Sequence, residues 1–286
     1  MKPNPILKKL GYSEGDRLAI IHTDDIGMCE ASISAFADLW DFGVISSGAV
    51  MVPCPWFLHI SQYCREHPEV DMGVHLTLTS EWPTYRWGPI SSRDPGTGMM
   101  DAEGYFYPTS ESAQENADPE AVQVEIRAQL ERALAAGIDA THVDTHMGAV
   151  AHPKLIPAYI QLALELKLPP MIPRMDLQGY QDIGLDAGTA AFAVQMVEML
   201  EEQGVPLLDQ IAGLELDQPE GRLEQAKQAF QDLPAGLTHF IIHPSKDTPE
   251  LRAITPDWPS RVADYQTFLS MELRQFIRDS GIHVIT

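Results

Sequence analysis

Leu18-Ala19-Ile20-Ile21-His22-Thr23-Asp24-Asp25-Ile26-Gly27 sets the pattern on which the rest of the chain is built. Leu18 to His22 is an apolar run of strand length, and a carboxylate pair and a glycine follow it directly. Ile33, Phe36, Ala37 and Trp40 come next at i, i+3, i+4 and i+7, the spacing of one buried helix face, and Gly43 supplies a left-handed C-terminal stop. Strand, polar turn and helix in that order form one βα unit. The alternation continues: strands are expected at Ile45 to Val52, Val70 to Leu78, Ala140 to Thr145, Met171 to Arg174, Val205 to Gln210, Leu237 to Ile242 and Ile282 to Ile285. Asp118-Pro119-Glu120 gives an N-cap, an N1 proline and an early acid for a helix whose inner face is Val122, Ile126, Leu130 and Ala133. Pro153 opens the next helix, and a later one carries Val262, Tyr265, Leu269, Leu273 and Phe276.

Seven to eight parallel strands, each followed by a helix, predict an α/β barrel, and 286 residues suit one such domain. The stretch from Thr79 to Ala117 breaks the rhythm and is expected as a long loop insertion. Its Trp82, Tyr85, Trp87, Tyr105, Phe106 and Tyr107 either form a platform for sugar faces or pin the loop to the barrel.

The formal charge of −22 repels phosphate backbones and anionic lipid, so nucleic-acid and membrane-surface functions are disfavoured. A Met1-Lys2-Pro3-Asn4-Pro5 start has no apolar targeting core, and a soluble cytoplasmic protein is expected; a homodimer is compatible with the composition. Cys29, Cys54 and Cys64 are an odd number without metal-knuckle spacing and are expected as free thiols.

Ionisable residues recur where the predicted strands end: His22 to Asp25, His75, then His142, Asp144 and His146, with Arg174, Asp209 and His243 continuing the series. In a barrel those ends converge on one mouth. Singly, each could cap a strand or satisfy a buried backbone group. Asp24-Asp25 is expected in a tight βα turn, read either as an N-cap with a solvated neighbour or as a pair whose repulsion a cation relieves, one acid ligating while the other stays free as a base. On a strand, His142, Asp144 and His146 share one face, with His146 nearest the mouth and Asp144 placed to orient a ligand histidine. Asp25, His75 and His146 then make a two-imidazole, one-carboxylate metal site. Arg174 is expected to hold a substrate oxygen or to pair with a carboxylate at the mouth.

His22-Thr23-Asp24-Asp25-Ile26-Gly27-Met28, Gly73-Val74-His75-Leu76-Thr77-Leu78, Thr141-His142-Val143-Asp144-Thr145-His146 and His243-Pro244 together resemble the YdjC-like carbohydrate deacetylase family over nearly the whole chain. The resemblance implies a distorted TIM-like barrel and a divalent metal on Asp25, His75 and His146. It further implies Asp24 as the base, His243 as the acid and acetamido sugars such as chitooligosaccharides as substrates. Mg2+ is the ion the family implies, whereas two imidazoles suit Zn2+ or a neighbouring transition metal. The chain departs from the family pattern at His22-Thr23 and Ile26, where Asn-Ala and Phe are frequent, and at Gly148, where a further histidine is frequent. None of the presumptive ligands is affected. Hydrolysis of a phosphoester or cyclic amide, and catalytically silent sugar binding, are the alternatives on the same barrel.

Overall fold

The computed structural model of the chain describes residues 2–286. Among these, seven strands pair entirely in parallel: β1 (Arg17–Ile26), β2 (Ser47–Val50), β3 (Met72–Leu76), β4 (Ala140–Thr145), β5 (Gln210–Gly213), β6 (Gly236–Ile242) and β7 (Ile282–Val284), in the order β4-β3-β2-β1-β6-β5. Isolated parallel bridges from Val143 to Pro170 and from Pro173 to Leu208 join the two ends of that row through the segment 169–174. The ring therefore closes as a distorted barrel. Pro169, Pro170 and Pro173 explain the distortion, because a residue without an N–H cannot donate to a ladder.

Three expectations change here. The fifth strand, expected at Met171 to Arg174, is reduced to these bridges. The sixth begins at Gln210 rather than Val205, so Asp209 precedes a strand instead of ending one. Ile282–Val284 does not close the ring: it pairs with Arg17, Leu18 and Ala19, on the edge of β1 that β2 takes higher up.

The helices follow from local chemistry. Glu30–Phe42 buries Ile33, Phe36 and Leu39 against the barrel and ends at Gly43, whose φ of 70° is the left-handed stop read from the sequence. Complete burial of a side chain such as Phe36 contributes roughly 1.5–3 kcal/mol. Pro119–Ala135 is capped by Asp118, which accepts from the Ala121 N–H at 2.9 Å. Its buried face carries two polar residues besides the expected apolar ones. Gln129 exchanges hydrogen bonds with both backbone groups of Thr77 (2.9 and 2.7 Å), standing in for a neighbouring strand just beyond β3. Glu125 accepts from the N–H groups of Ile90 and Ser91, which fastens the long segment after β3 to the barrel. The helix expected around Val262 to Phe276 is two helices, Trp258–Phe268 and Met271–Asp279, the second capped by Ser270. Leu177–Asp182 and Ala187–Glu202 are helices that the sequence pattern did not single out. Among the described residues, no helix is long and apolar enough to cross a membrane.

Gly48 in β2 marks where β1, β2 and the first outer helix pack without room for a side chain. A Cβ there would meet Phe36 at 2.9 Å, and Ile26 and Thr23 closer still. Gly48→Ala is expected to lower unfolding stability by about 1–3 kcal/mol through overpacking. Denaturant unfolding measures this, and an unchanged midpoint would show that the contact is loose.

Candidate active site

Interior-facing residues of β1 change character along the strand: Leu18 and Ile20 are apolar, then come His22 and Asp24. β6 runs beside it in register, pairing Leu237, His239 and Ile241 with Leu18, Ile20 and His22. Alternation alone would turn Asp25 outward. Asp25 instead has φ 61°, a left-handed value that aspartate tolerates better than most residues, and the β1–β2 register shifts between Thr23 and Ile26. This bulge, rather than the expected tight turn, directs both carboxylates into the barrel.

Six of the seven expected site residues meet there. His75 Nε2, His146 Nδ1 and Asp25 Oδ1 converge: Asp25 Oδ1 lies 3.0 Å from His146 Nδ1 and 3.5 Å from His75 Nε2, and the two nitrogens are 3.3 Å apart. Asp144 holds His75 from behind, its Oδ1 lying 2.8 Å from Nδ1. Asp24 Oδ2 is 3.8 Å from both His75 Nε2 and His243 Nε2. His243 stands just past β6, its N–H donating to Asp264 at 3.0 Å, while Asp264 is itself paired with buried Arg222 at 2.6 Å. His146 heads a short 3-10 turn at the end of β4, followed by Met147 at φ 53°.

Arg174 is the exception. It pairs with Glu201 and, at 2.7 Å, with Asp209, and donates to the Lys2 carbonyl. Asp209 in turn accepts from the N–H of Leu237 near the start of β6, which places both residues at the end of the barrel opposite the acids. The expected role of Arg174 at the mouth is thereby corrected. The proline-broken fifth stave is the cause: Arg174 follows a segment that makes only isolated bridges, and Asp209 precedes β5 instead of ending a strand.

The sequence reading missed three contributors. Arg261, on helix Trp258–Phe268, donates to Asp25 Oδ2 at 2.7 Å and is locked by Asp257. Glu81 places both carboxylate oxygens 3.2 Å from His146 Nε2. His239 lies against His22, with ring centroids 4.4 Å apart. A histidine inside an otherwise apolar strand was a signal for His239, and an acid six residues beyond His75 was a weaker one for Glu81. Arg261 had none.

The electrostatics are those of a buried, mutually neutralising cluster. Burial disfavours charge on every member, yet Asp144 and Asp24 push His22 up to about 9 and raise His75 well above the ordinary imidazole value. Likewise Glu81 and Asp25 push His146 up to about 9, while His146 and Arg261 hold Asp25 well below the usual carboxylate range. His75 and His22 lower Asp24 and Asp144 in the same way. His239 goes the other way: burial, with His22 beside it, pushes it down to about 3. Asp25 Oδ1, Asp24 Oδ1, Asp144 Oδ2 and His22 Nε2 are buried and have no hydrogen-bond partner among the described residues. His22 Nε2 is only 3.0 Å from Asp144 and 3.2 Å from Asp24, but off the hydrogen-bond direction. An orphaned carboxylate oxygen facing two imidazole nitrogens is the donor set a divalent cation takes, so the residues present fit such an ion.

The segment from Thr79 onward lies over this cluster. Trp82, Trp87 and Phe106 are buried, Trp87 donates to the Thr79 carbonyl at 2.7 Å, and Tyr85 donates to the Met28 carbonyl at 2.6 Å. Of the two readings of these aromatics, the pin holds for Trp82, Trp87 and Phe106. All three cysteines are free and buried, and burial pushes the Cys29 thiol up to about 11, which makes it a poor nucleophile.

A carbohydrate deacetylase of Thermus thermophilus is 33% identical over 278 residues, covering 96% of this chain and 94% of that protein. One from Thermoanaerobacter pseudethanolicus is 24% identical, covering 92% and 95%. A chitooligosaccharide deacetylase of Yersinia enterocolitica is 26% identical over 57% of this chain and 62% of its own. A crystal structure from Enterococcus faecalis V583 shares the fold with a TM-score of 0.75 at 22% identity, covering 95% of this chain and 97% of that one. The model of the YdjC-like proteins matches residues 18–279, and the chain belongs to that family.

Proposed function

We propose that the protein is a metal-dependent hydrolase that removes the acetyl group from an N-acetylated sugar of the chitooligosaccharide kind. The observation that carries this reading is the meeting of Asp25 Oδ1, His75 Nε2 and His146 Nδ1 beside a second carboxylate, Asp24, and a partly open imidazole, His243. Relatives named carbohydrate and chitooligosaccharide deacetylases support the substrate class. Asp25, His75 and His146 would hold the ion. Two imidazoles and one carboxylate favour Zn2+ or a neighbouring transition metal over Mg2+, which prefers oxygen donors. When bound, the ion supplies Lewis acidity toward the acetamide carbonyl and the attacking water.

The rest belongs to the protein's own side chains. Arg261 engages the far oxygen of Asp25, leaving Oδ1 directed at the imidazoles. Asp144 keeps a proton on His75 Nδ1 and so leaves Nε2 as the free lone pair. Asp24 Oδ2 accepts a proton from water as its oxygen adds to the acetamide carbon. His243 Nε2 donates a proton to the nitrogen as the C–N bond breaks, giving acetate and a free amine. The pinned segment after β3 walls this space and is proposed to set sugar preference.

Asp24→Asn keeps the shape of the side chain and removes its basicity. Acetate release should fall by about 10²–10⁴-fold, while metal content stays stoichiometric by mass spectrometry. A variant with near-normal rate would exclude Asp24 as the base, and one that lost its metal would make Asp24 a ligand.

Metal uptake should depend on pH with a definite sign. Without an ion His146 titrates at about 9, above its ordinary value, so at neutral pH an entering cation must displace its proton. Zn2+ affinity should therefore rise with pH, and proton release should accompany binding; calorimetry in buffers of different ionisation enthalpy between about pH 6 and 8 measures both. An affinity independent of pH would contradict the proposed ligand role of His146.

A further inference from the structure

We infer that Glu81 is a positioning residue: it fixes the proton of His146 on Nε2, so that His146 offers Nδ1 to the cation while His75 offers Nε2. The inference rests on the reading of Asp25, His75 and His146 as ligands. Each of the three is gripped on its far side by a different group: His75 Nδ1 by Asp144 at 2.8 Å, Asp25 Oδ2 by Arg261 at 2.7 Å, and His146 Nε2 by Glu81 at 3.2 Å. An ionised carboxylate only accepts hydrogen bonds, so it keeps a proton on whichever imidazole nitrogen it faces. Asp144 faces Nδ1 of one histidine and Glu81 faces Nε2 of the other. The free lone pairs are then on opposite atoms of the two rings, Nε2 of His75 and Nδ1 of His146, which lie 3.3 Å apart.

Backbone geometry gives the reason for the asymmetry. His75 lies within β3, one residue from its end, and reaches the site with the far nitrogen of its ring. His146 heads the turn that follows β4, where Met147 takes a left-handed φ of 53°, and it presents its near nitrogen to Asp25 at 3.0 Å. Its far nitrogen then points to the segment that begins at Thr79. Glu81 comes from that segment, and its neighbour Trp82 lies over the Arg261 guanidinium, 5.6 Å from ring centroid to carbon. The segment thus touches the ligands twice, through Glu81 on His146 and through Trp82 and Arg261 on Asp25. Its seating and the occupancy of the site are linked, because what holds one in place favours the other.

The test uses the full chain stripped with a chelator and reloaded with Zn2+. Glu81→Ala removes the acceptor, whereas Glu81→Gln keeps an oxygen that can accept from Nε2–H without the charge. Competition with a chromophoric chelator should show Glu81→Ala weaker for Zn2+ by about 10–100-fold, the range for lost partners of metal ligands, with Glu81→Gln recovering most of that loss. Nitrogen-15 histidine spectra of the Zn2+-loaded wild type should show His146 protonated at Nε2 and coordinated at Nδ1. Zn2+ binding as tight in Glu81→Ala as in wild type, or His146 coordinated at Nε2, overturns the role of Glu81. If Glu81→Gln binds as weakly as Glu81→Ala, the effect is one of charge and the tautomer role is overturned. His146→Ala separates this inference from the reading beneath it, since undiminished Zn2+ affinity in that variant overturns the ligand assignment itself. Glu81 is only partly buried, and thermal unfolding of both variants confirms that the fold is kept.

Discussion

Three aspartates and three histidines share the buried interior near the barrel mouth, and the molecule must keep them there largely shielded from bulk solvent. Asp24, Asp25 and Asp144 are at most 7% exposed, and His22, His75 and His146 at most 4%. An unpaired buried carboxylate costs several kcal/mol, so such a set is stable only when each charge has a partner on at least one side. Here the charges alternate. Asp144 lies between His22 and His75, Asp25 between His146 and Arg261, and Asp24 between His22 and His75. Arg261 is the one permanent cation in the series, and Asp257 fixes its orientation from the solvent side. The imidazoles supply the remaining positive charge as protons, which a divalent ion can replace on the proposed reading. The cluster's charges thus have partners with or without the cation.

That cluster depends on a backbone detail. A regular strand would place Asp24 inside and Asp25 outside, and a one-residue change in direction is needed to bring both acids to one side. The left-handed φ of Asp25 does this, and the Met28 N–H donating back to the Asp25 carbonyl holds the turn that follows. Strain of this kind persists only where the surroundings over-determine it. Here Arg261, His75 and His146 grip the Asp25 side chain from three directions.

Most of the barrel was legible because its information is local and periodic. Ala140–Thr145 has the bounds expected from its alternating pattern, Gly43 ends its helix, and Asp118 caps a later one. The six site residues that meet were legible for a similar reason: parallel strands bring their C-terminal ends together whatever the intervening sequence. Arg174 and Asp209 failed on the same logic, because it presumes that the preceding run is a strand. Between Pro169 and Pro173 it is not, and the direction in which those side chains point was lost with it. Arg261 was illegible, and Glu81 nearly so, for a different reason. A charged residue on a helix or a long loop reads as solvated, and only the tertiary fold shows that Arg261 is 2% exposed beneath Trp82.

Along β1 the interior passes from Leu18 and Ile20 through His22 to Asp24, with Leu237 and His239 of β6 beside it, and this gradient separates two tasks within one barrel. At the apolar end, the fixed ion pair of Arg174 and Asp209 ties the N-terminal segment to the start of β6, where charge only has to be neutralised. At the other end, the partners of the acids are mostly imidazoles, whose protons can be exchanged at moderate pH, and the arginine that is present contacts only the far oxygen of Asp25. An aspartate paired with arginine stays an anion, whereas one beside an imidazole can pass a proton across. Asp24 has only imidazoles within ion-pair distance among the described residues, His22, His75 and His243. Asp144 too has only imidazoles beside it, His22 and His75, but Asp24 alone of the two also faces the partly open His243, so on the proposed reading Asp24 is the acid that gains and loses a proton, while Asp25, fixed by Arg261, is the anion suited to holding a cation.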